Sequence, residues 1–213
     1  MTDQLLTHLR SIGFAPRLIF DIGAHEGAFT QTCRRYFANA AVWAFEPNLG
    51  KRVALTTIAD RIFTDVLLDT AGAVTYWEAE IPEQSGNGLA RERTNVPFRA
   101  TIRQAVAIDT LVGGTIPDLV KLDTQGTELA ILRGGRDSIC HAESVIMEVS
   151  FRRYNDGAPL FAEALAFMAD LDYCIVDIED AYRAQGILVQ SNALFLKKKS
   201  PHFSEDVRIE FRL

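Results

Sequence analysis

The chain has 213 residues, 48% of them hydrophobic and 23% charged, with a net charge of −6. That balance suits one soluble globular domain over 1–213 with a core that needs no staples, and the acidic excess argues against a nucleic-acid-binding surface. No run approaches the roughly 20 apolar residues of a membrane span. The scattered Cys33, Cys140 and Cys174 read as buried, reduced thiols of a cytoplasmic protein, and no Cys or His spacing suits a metal.

Residues 1–16 read as a helical lead-in, with Leu5, Leu6, Leu9 and Ile12 on one stripe and Gly13 and Pro16 as stops. This segment lacks the apolar core of a signal peptide. Strand one is expected over 17–21, helix A over 28–38, strand two over 41–45, helix B over 49–59 and strand three over 62–68. Strands one and two are near-continuous apolar runs, as in a parallel sheet covered on both faces. Alternating strands and helices predict right-handed crossovers and a doubly wound sheet.

The rhythm then breaks. An extra strand is expected over 73–79, after the Thr70-Ala71-Gly72 turn. The 83–100 stretch has no clean period; it holds Ser85-Gly86-Asn87-Gly88 and the arginines Arg91, Arg93 and Arg99. Long loops of this kind are often substrate or lid loops. Its arginines fit either phosphate or carboxylate recognition on an acceptor or an ordinary solvated loop. Another strand is expected over 105–111. After Pro117 the alternation resumes, with a strand over 118–123, a helix over 127–133, a strand over 144–149 and a helix over 160–169. Closing strands are expected over 173–178 and 193–196, with a hairpin at Gly186 between them.

Asp21-Ile22-Gly23-Ala24-His25-Glu26-Gly27 joins strand one to helix A. A buried strand, a Gly-rich turn and a helix form a ligand-binding corner. The spacing is D-x-G-x-x-x-G, which lacks the close backbone approach that G-x-G-x-x-G offers a pyrophosphate. Glu46 ends strand two near the offset at which a carboxylate meets ribose hydroxyls. The corner therefore suits a nucleoside without a diphosphate, and S-adenosylmethionine is such a ligand. The competing reading is a plain strand-to-helix turn whose Asp21 caps the helix.

Ligands of open α/β sheets bind outside the carboxyl ends of the strands. Asp21, Glu46, Asp123 and Glu148 all lie there. Lys121 and Asp123 share one strand face, and a buried lysine needs a partner. Lys121 is expected to pair with Asp123 or Glu148, either as an acceptor-binding, deprotonating cluster or as a structural ion pair. His25 reads as a base or acceptor contact, or as a solvated loop histidine.

With these residues in view, the chain resembles the FkbM family of S-adenosylmethionine-dependent methyltransferases. The resemblance runs from about Leu18 to Leu196. It rests on Phe20-Asp21-Ile22-Gly23-Ala24-His25-Glu26-Gly27, on Ala44-Phe45-Glu46-Pro47, on Ile108-Asp109-Thr110-Leu111, and on Asp118-Leu119-Val120-Lys121-Leu122-Asp123-Thr124-Gln125-Gly126-Thr127-Glu128. Leu132-Arg133-Gly134-Gly135 and Ile146-Met147-Glu148-Val149 complete it.

The resemblance implies a Rossmann-like class I methyltransferase fold: a doubly wound, mostly parallel seven-stranded sheet, here with an extra hairpin or loop insertion. It implies methyl transfer to a hydroxyl on a sugar, a glycan or a small natural product. Asp21, Gly23, Ala24 and Gly27 would frame the methionine part of the donor, Glu46 would hold the ribose, and Asp65 and Val66 would line the adenine. Candidate bases are Asp123 first, then His25 and Glu148, with Lys121 orienting or neutralising the cluster. The family often has Asn where this chain has His25. Two other readings stay open: a catalytically silent module that binds S-adenosylmethionine or a nucleoside and regulates a partner, and an NAD-dependent oxidoreductase, which the missing third Gly disfavours. Oligomeric state is not legible.

Overall fold

The apolar runs at the front of the chain become two inner strands of a sheet, β1 (Leu18–Ile22) and β2 (Ala41–Phe45). The computed structural model describes residues 3–81 and 86–206. Helix α1 (Asp3–Ser11) precedes β1 and buries Leu5, Leu6 and Leu9, three positions of the predicted stripe. Helix α2 (Ala28–Tyr36) carries the chain from β1 to β2. It buries Phe29, Thr30 and Cys33 against the sheet and turns Arg34 and Arg35 outward or to the rim.

Two expected elements change character next. Helix B shrinks to a 3₁₀ turn over Leu49–Lys51 and α3 (Arg52–Leu55). Leu55 is buried, whereas Leu49 and Val53 face solvent, so little apolar surface holds a longer helix in place. Strand three divides in two. Its first half, β3 (Arg61–Phe63), pairs in parallel with β2 at the edge of the main sheet. Its second half, β4 (Val66–Leu67), leaves for a separate three-stranded sheet, where it pairs with β6.

That smaller sheet is the insertion. It has the order β4-β6-β5, with β5 (Gly72–Ala79) antiparallel to β6 (Phe98–Val106). The end of the 83–100 stretch is thus strand, because 98–106 finds an antiparallel partner eight residues long. Residues 108–111, expected as strand, fall in helix α4 (Ile108–Val112) instead. Asp109 accepts from the backbone N–H of Asp137 and from the Ser138 hydroxyl, which ties this helix to the loop after α5. Residues 82–85, including Glu83 and Ser85 of the expected loop, lie outside the described residues.

The second half restores the expected alternation: β7 (Leu119–Leu122), α5 (Glu128–Arg133), β8 (Ser144–Ser150) and α6 (Phe161–Asp170). The closing strands are longer than expected. β9 (Tyr173–Ala184) and β10 (Ile187–Lys197) run into one hairpin that turns at Gln185 and Gly186. The main sheet has seven strands in the order β3-β2-β1-β7-β8-β10-β9. Pairings from β3 through β8 are parallel, and β10 inserts antiparallel between β8 and β9. The strand order reverses between β1 and β7, where a ligand crevice opens beyond the carboxyl ends.

One apolar cluster covers each face. Phe20, Phe45, Val120, Leu122, Val145 and Phe195 pack toward α4, α5 and α6, and Ile19, Val42, Leu119, Ile146 and Leu194 pack toward α1 and α2. Alternate residues of single strands appear in opposite clusters, as a sheet buried on both faces requires. Cys33, Cys140 and Cys174 are free thiols. Among the described residues, no helix is long and apolar enough to cross a membrane.

Candidate active site

A cleft of about 1160 Å³ opens at the switch point between β1 and β7. Single ligand pockets run from about 300 to 1,000 Å³, so this one is at the large end of that range. Its walls include Gly23, Ala24, His25, Glu46, Asp65, Val66, Lys121, Asp123 and Glu148. Asp21 and Gly27 are not among its lining residues.

The turn after β1 is closed upon itself. The N–H groups of Gly23 and Ala24 both donate to the Phe45 carbonyl, at 2.9 and 3.1 Å. Gly27 N–H donates to the Ala24 carbonyl at 2.7 Å. His25 N–H donates to Glu46 Oε2 at 2.8 Å. A diphosphate-binding turn leaves such groups for the ligand, and here four of them are already spent. Gly23 sits at φ 80°, and a Cβ there would lie 1.8 Å from the Asp123 carbonyl oxygen. Glycine is required at 23 because β1 and β7 bring their backbones together where the crevice begins.

Glu46 is 6% exposed. Its Oε1 takes the Asn48 N–H at 2.7 Å and its Oε2 the His25 N–H. Burial raises its pKa, and these two backbone donors oppose that rise. An ionised carboxylate has about four lone-pair sites, so each oxygen keeps one for a ligand's hydroxyl. Beside it, Val66, Leu67, Ile131 and Tyr76 supply apolar and aromatic wall. Tyr76 comes from β5 of the insertion. Sequence reading missed it, because nothing local marks which strand of a second sheet reaches a cleft in the first.

Asp21 is fully buried, one layer behind the cleft. Its Oδ2 accepts from the Thr30 hydroxyl of α2 at 2.6 Å, and its Oδ1 has no hydrogen-bond partner and lies 3.9 Å from Lys121 Nζ. It meets the first turn of α2 at Thr30, while Gly27 holds the N-cap position. Burial raises its pKa against the pull of Lys121.

Lys121, 7% exposed, donates to Asp123 Oδ2 at 3.0 Å and lies over the Phe29 ring. Burial alone would lower its pKa, but Asp123 and Asp21 together hold it above the ordinary lysine range. The ion pair expected from sequence forms with Asp123. Glu148 is held by others: Tyr154 OH donates to its Oε1 at 2.9 Å and Gln190 Nε2 to its Oε2 at 2.8 Å. Gln125 bridges the two carboxyl groups, which also meet each other directly. Its Nε2 is 3.1 Å from Asp123 Oδ1 and 3.5 Å from each Glu148 oxygen.

The two carboxyl groups diverge. Burial pushes Asp123 up, but Lys121 beside it brings the balance below the usual carboxylate range. Burial, then the charges of Asp123 and Glu128, holds Glu148 well above that range. Paired groups pushed apart in this way separate acid from base. A stability test follows. The folded chain keeps the Glu148 proton at pH values where the unfolded chain has lost it. Stability thus falls as pH climbs from the ordinary glutamate range through the raised folded value. A Gln at 148 has no such proton. Glu148→Gln is expected to gain on the parent as pH climbs above the ordinary glutamate range, so its Tm difference from the parent should widen with pH. Melting curves across a pH series decide it; a constant Tm difference refutes the raised pKa.

His25 sits at φ 49° with a buried, unpartnered Nε2. Burial, then Lys51, lowers its pKa, so the ring is neutral near pH 7. The three arginines of the 83–100 stretch have protein partners: Arg99 pairs with Glu78, Arg93 with Asp156, and Arg91 lies over Trp77. From that stretch Asn87, Gly88 and Leu89 line the cleft instead. Residues of the β9–β10 hairpin join them: Tyr182, Gln190, Ser191 and Asn192, the last with a buried, unpartnered Oδ1. Sequence reading missed these, since their contribution depends on β10 folding back beside β8. Among the described residues, no group of three His, Cys, Asp or Glu could hold a metal ion.

Comparison with known proteins agrees with this geometry. Magnesium protoporphyrin IX methyltransferase from Synechocystis PCC 6803, solved with bound SAM, aligns at TM-score 0.52 and 11% identity, over 92% of this chain and 78% of that one. An S-adenosylmethionine-dependent methyltransferase from Clostridium acetobutylicum aligns at TM-score 0.55 and 8% identity, over 92% and 90%. At such identities the likeness establishes the Rossmann-like class I methyltransferase fold. A sequence search among curated proteins finds no match. The model of the methyltransferase FkbM domain matches residues 21–175, from Asp21 at the end of β1 into β9. That span includes the β1–α2 turn, Glu46, the insertion and the Asp123–Glu148 pair, and the chain accordingly belongs to the FkbM methyltransferase family, with S-adenosylmethionine as its methyl donor.

Proposed function

We propose that this methyltransferase methylates a hydroxyl on a sugar, a glycan or a small natural product, and that Asp123 takes the hydroxyl proton. The observation that carries this reading is the Lys121–Asp123 ion pair, with Glu148 next to it, in the same cleft as Glu46. The donor supplies a methyl group on a sulfonium, which leaves readily. The acceptor oxygen bonds to the methyl carbon, the carbon–sulfur bond breaks, and the acceptor proton passes to Asp123 Oδ. The protein's main contribution is then alignment, which lowers a barrier by up to about 7–11 kcal/mol; proton removal adds about 10²–10⁴-fold.

The residues present suit the donor. Glu46 keeps lone pairs for two ribose hydroxyls, Val66 and Leu67 supply apolar wall beside Asp65, and the closed β1–α2 turn disfavours a dinucleotide. Asp21 serves from behind, through Thr30 and Lys121. Gln125, Gln190 and Asn192 offer amide groups to a hydroxylated acceptor. Calorimetry with S-adenosylhomocysteine and with NAD tests the donor. Labelled S-adenosylmethionine incubated with a cell extract, followed by mass spectrometry, tests the acceptor. Binding of S-adenosylhomocysteine and a labelled methyl ether are expected. Binding without any labelled product would favour the silent regulatory module, and a methylated nitrogen would refute the O-methyl assignment.

A further inference from the structure

Thr124, Gln125 and Gly126 form the turn that follows β7. Gln125 sits at φ 59° and Gly126 at φ 106°. Left-handed φ is an uncommon backbone state for glutamine and persists where its surroundings over-determine it. Glu128 supplies that determination. Its Oε1 accepts from Thr124 N–H at 2.8 Å, from the Thr124 hydroxyl at 3.1 Å and from Gly126 N–H at 3.1 Å, and its Oε2 is also 3.1 Å from Gly126 N. The carboxylate is 4% exposed and makes no ion pair with a described residue. On the other side, a Cβ at Gly126 would lie 2.6 Å from Ala158 Cβ, so the turn has no room to relax.

The turn's one evident product is the place of the Gln125 side chain. Its amide nitrogen reaches Asp123 and both Glu148 oxygens. Its carbonyl is 3.5 Å from Tyr154 OH and 3.5 Å from Asn155 Nδ2. We propose that Glu128 is a positioning residue for methyl transfer: it staples the 124–126 turn so that the Gln125 amide bridges Asp123 and Glu148 and keeps Asp123 the proton acceptor of the two. This rests on the reading of Asp123 as base. The charged and titratable groups facing the pair are Lys121 of β7, Asp21 of β1, His25 of the β1–α2 turn, Glu128 of α5 and Tyr154 after β8. Gln190 of β10 faces it uncharged.

A merely structural Glu128 would change stability alone. The test uses the full chain saturated with S-adenosylhomocysteine, with ¹³C-carboxyl-labelled Asp and Glu titrated by NMR. Glu128→Ala is expected to place the Asp123 midpoint about one pH unit above that of Glu128→Gln, which lacks the same charge, a tenfold change in its ionised-to-protonated ratio. S-adenosylhomocysteine affinity should stay within about threefold of the parent, because Glu128 does not line the cleft. Glu128→Gln retains Oε1 for all three donors and so keeps the staple. Gln125→Leu leaves the staple intact and should reproduce that shift relative to the parent, which keeps the test available if Glu128→Ala does not fold. An unmoved Asp123 titration in Gln125→Leu overturns the proposal. So does Glu128→Gln behaving like Glu128→Ala. If the parent itself fails to bind S-adenosylhomocysteine, the methyltransferase reading fails instead, and calorimetry on the parent separates the two.

Discussion

Asp123→Asn is expected to lower turnover by about 10²–10⁴-fold, the usual contribution of a positioned base, while S-adenosylhomocysteine still binds. The substitution keeps the shape of the side chain and removes its charge. Lys121 then loses its 3.0 Å partner and retains Asp21, whose Oδ1 is 3.9 Å away. Removing one member of a buried pair costs about 3–5 kcal/mol when nothing replaces it. With Asp21 in reach the loss should be smaller, and the chain should still fold. Steady-state methyl transfer and calorimetry on one preparation separate the effects. Full turnover by Asp123→Asn would move the base to Glu148 or His25. The neutral, half-buried His25 ring and the strongly held Glu148 make either substitution the natural next measurement.

Glu46→Ala should weaken S-adenosylhomocysteine binding by about 10²-fold or more. Hydrogen bonds to a charged group contribute about 1.5–3 kcal/mol each, and a ribose would use two. The same substitution strips the acceptors from His25 N–H and Asn48 N–H. These anchor the β1–α2 turn and the start of the 3₁₀ turn, so the site itself loosens. Glu46→Gln keeps one acceptor oxygen but turns an amide N–H₂ toward a backbone donor, and should cost about tenfold. Titration calorimetry reads both. An unchanged affinity in Glu46→Ala would show that the donor lies elsewhere in the cleft. Mutating Asp21 probes something different. It touches no ligand surface, and its loss acts through Thr30 and Lys121.

Much of this arrangement is written locally. Leu18–Phe20 and Ala41–Phe45 are unbroken apolar runs, and such runs have no stable place except inside a sheet covered on both sides. Gly23 announces close backbone approach, and the approaching atom is the Asp123 carbonyl oxygen. Lys121 in an apolar strand announces a buried partner, because an unpaired charge there is too costly. Those inferences need only the neighbours of a residue along the chain.

The remainder depends on pairing across the chain. Residues 62–68 have one continuous strand-like pattern, yet 61–63 pair with β2 and 66–67 with β6. Which partner a strand finds is a matter of long-range hydrogen bonds, and no local propensity encodes it. The same is true of 105–111, where β6 ends after Val106 and α4 begins at Ile108. It holds most of all for the acceptor side. Asp123 and Glu148 each follow the last β7–β8 pair, Leu122 with Met147, and Asn192 of β10 lies opposite Glu148. That register lays three polar side chains in a row across strands far apart in sequence, at about 5 Å per strand. The sequence alone determined the fold class, the glycine turn and the carboxylates available to it. Only the tertiary structure decided which carboxylates stand together, that Gln125 bridges them, and that Asp21 stands behind the cleft. The physical reason is that strand register and burial are properties of the assembled sheet, and they alone set the distances between side chains and the environment in which each one ionises.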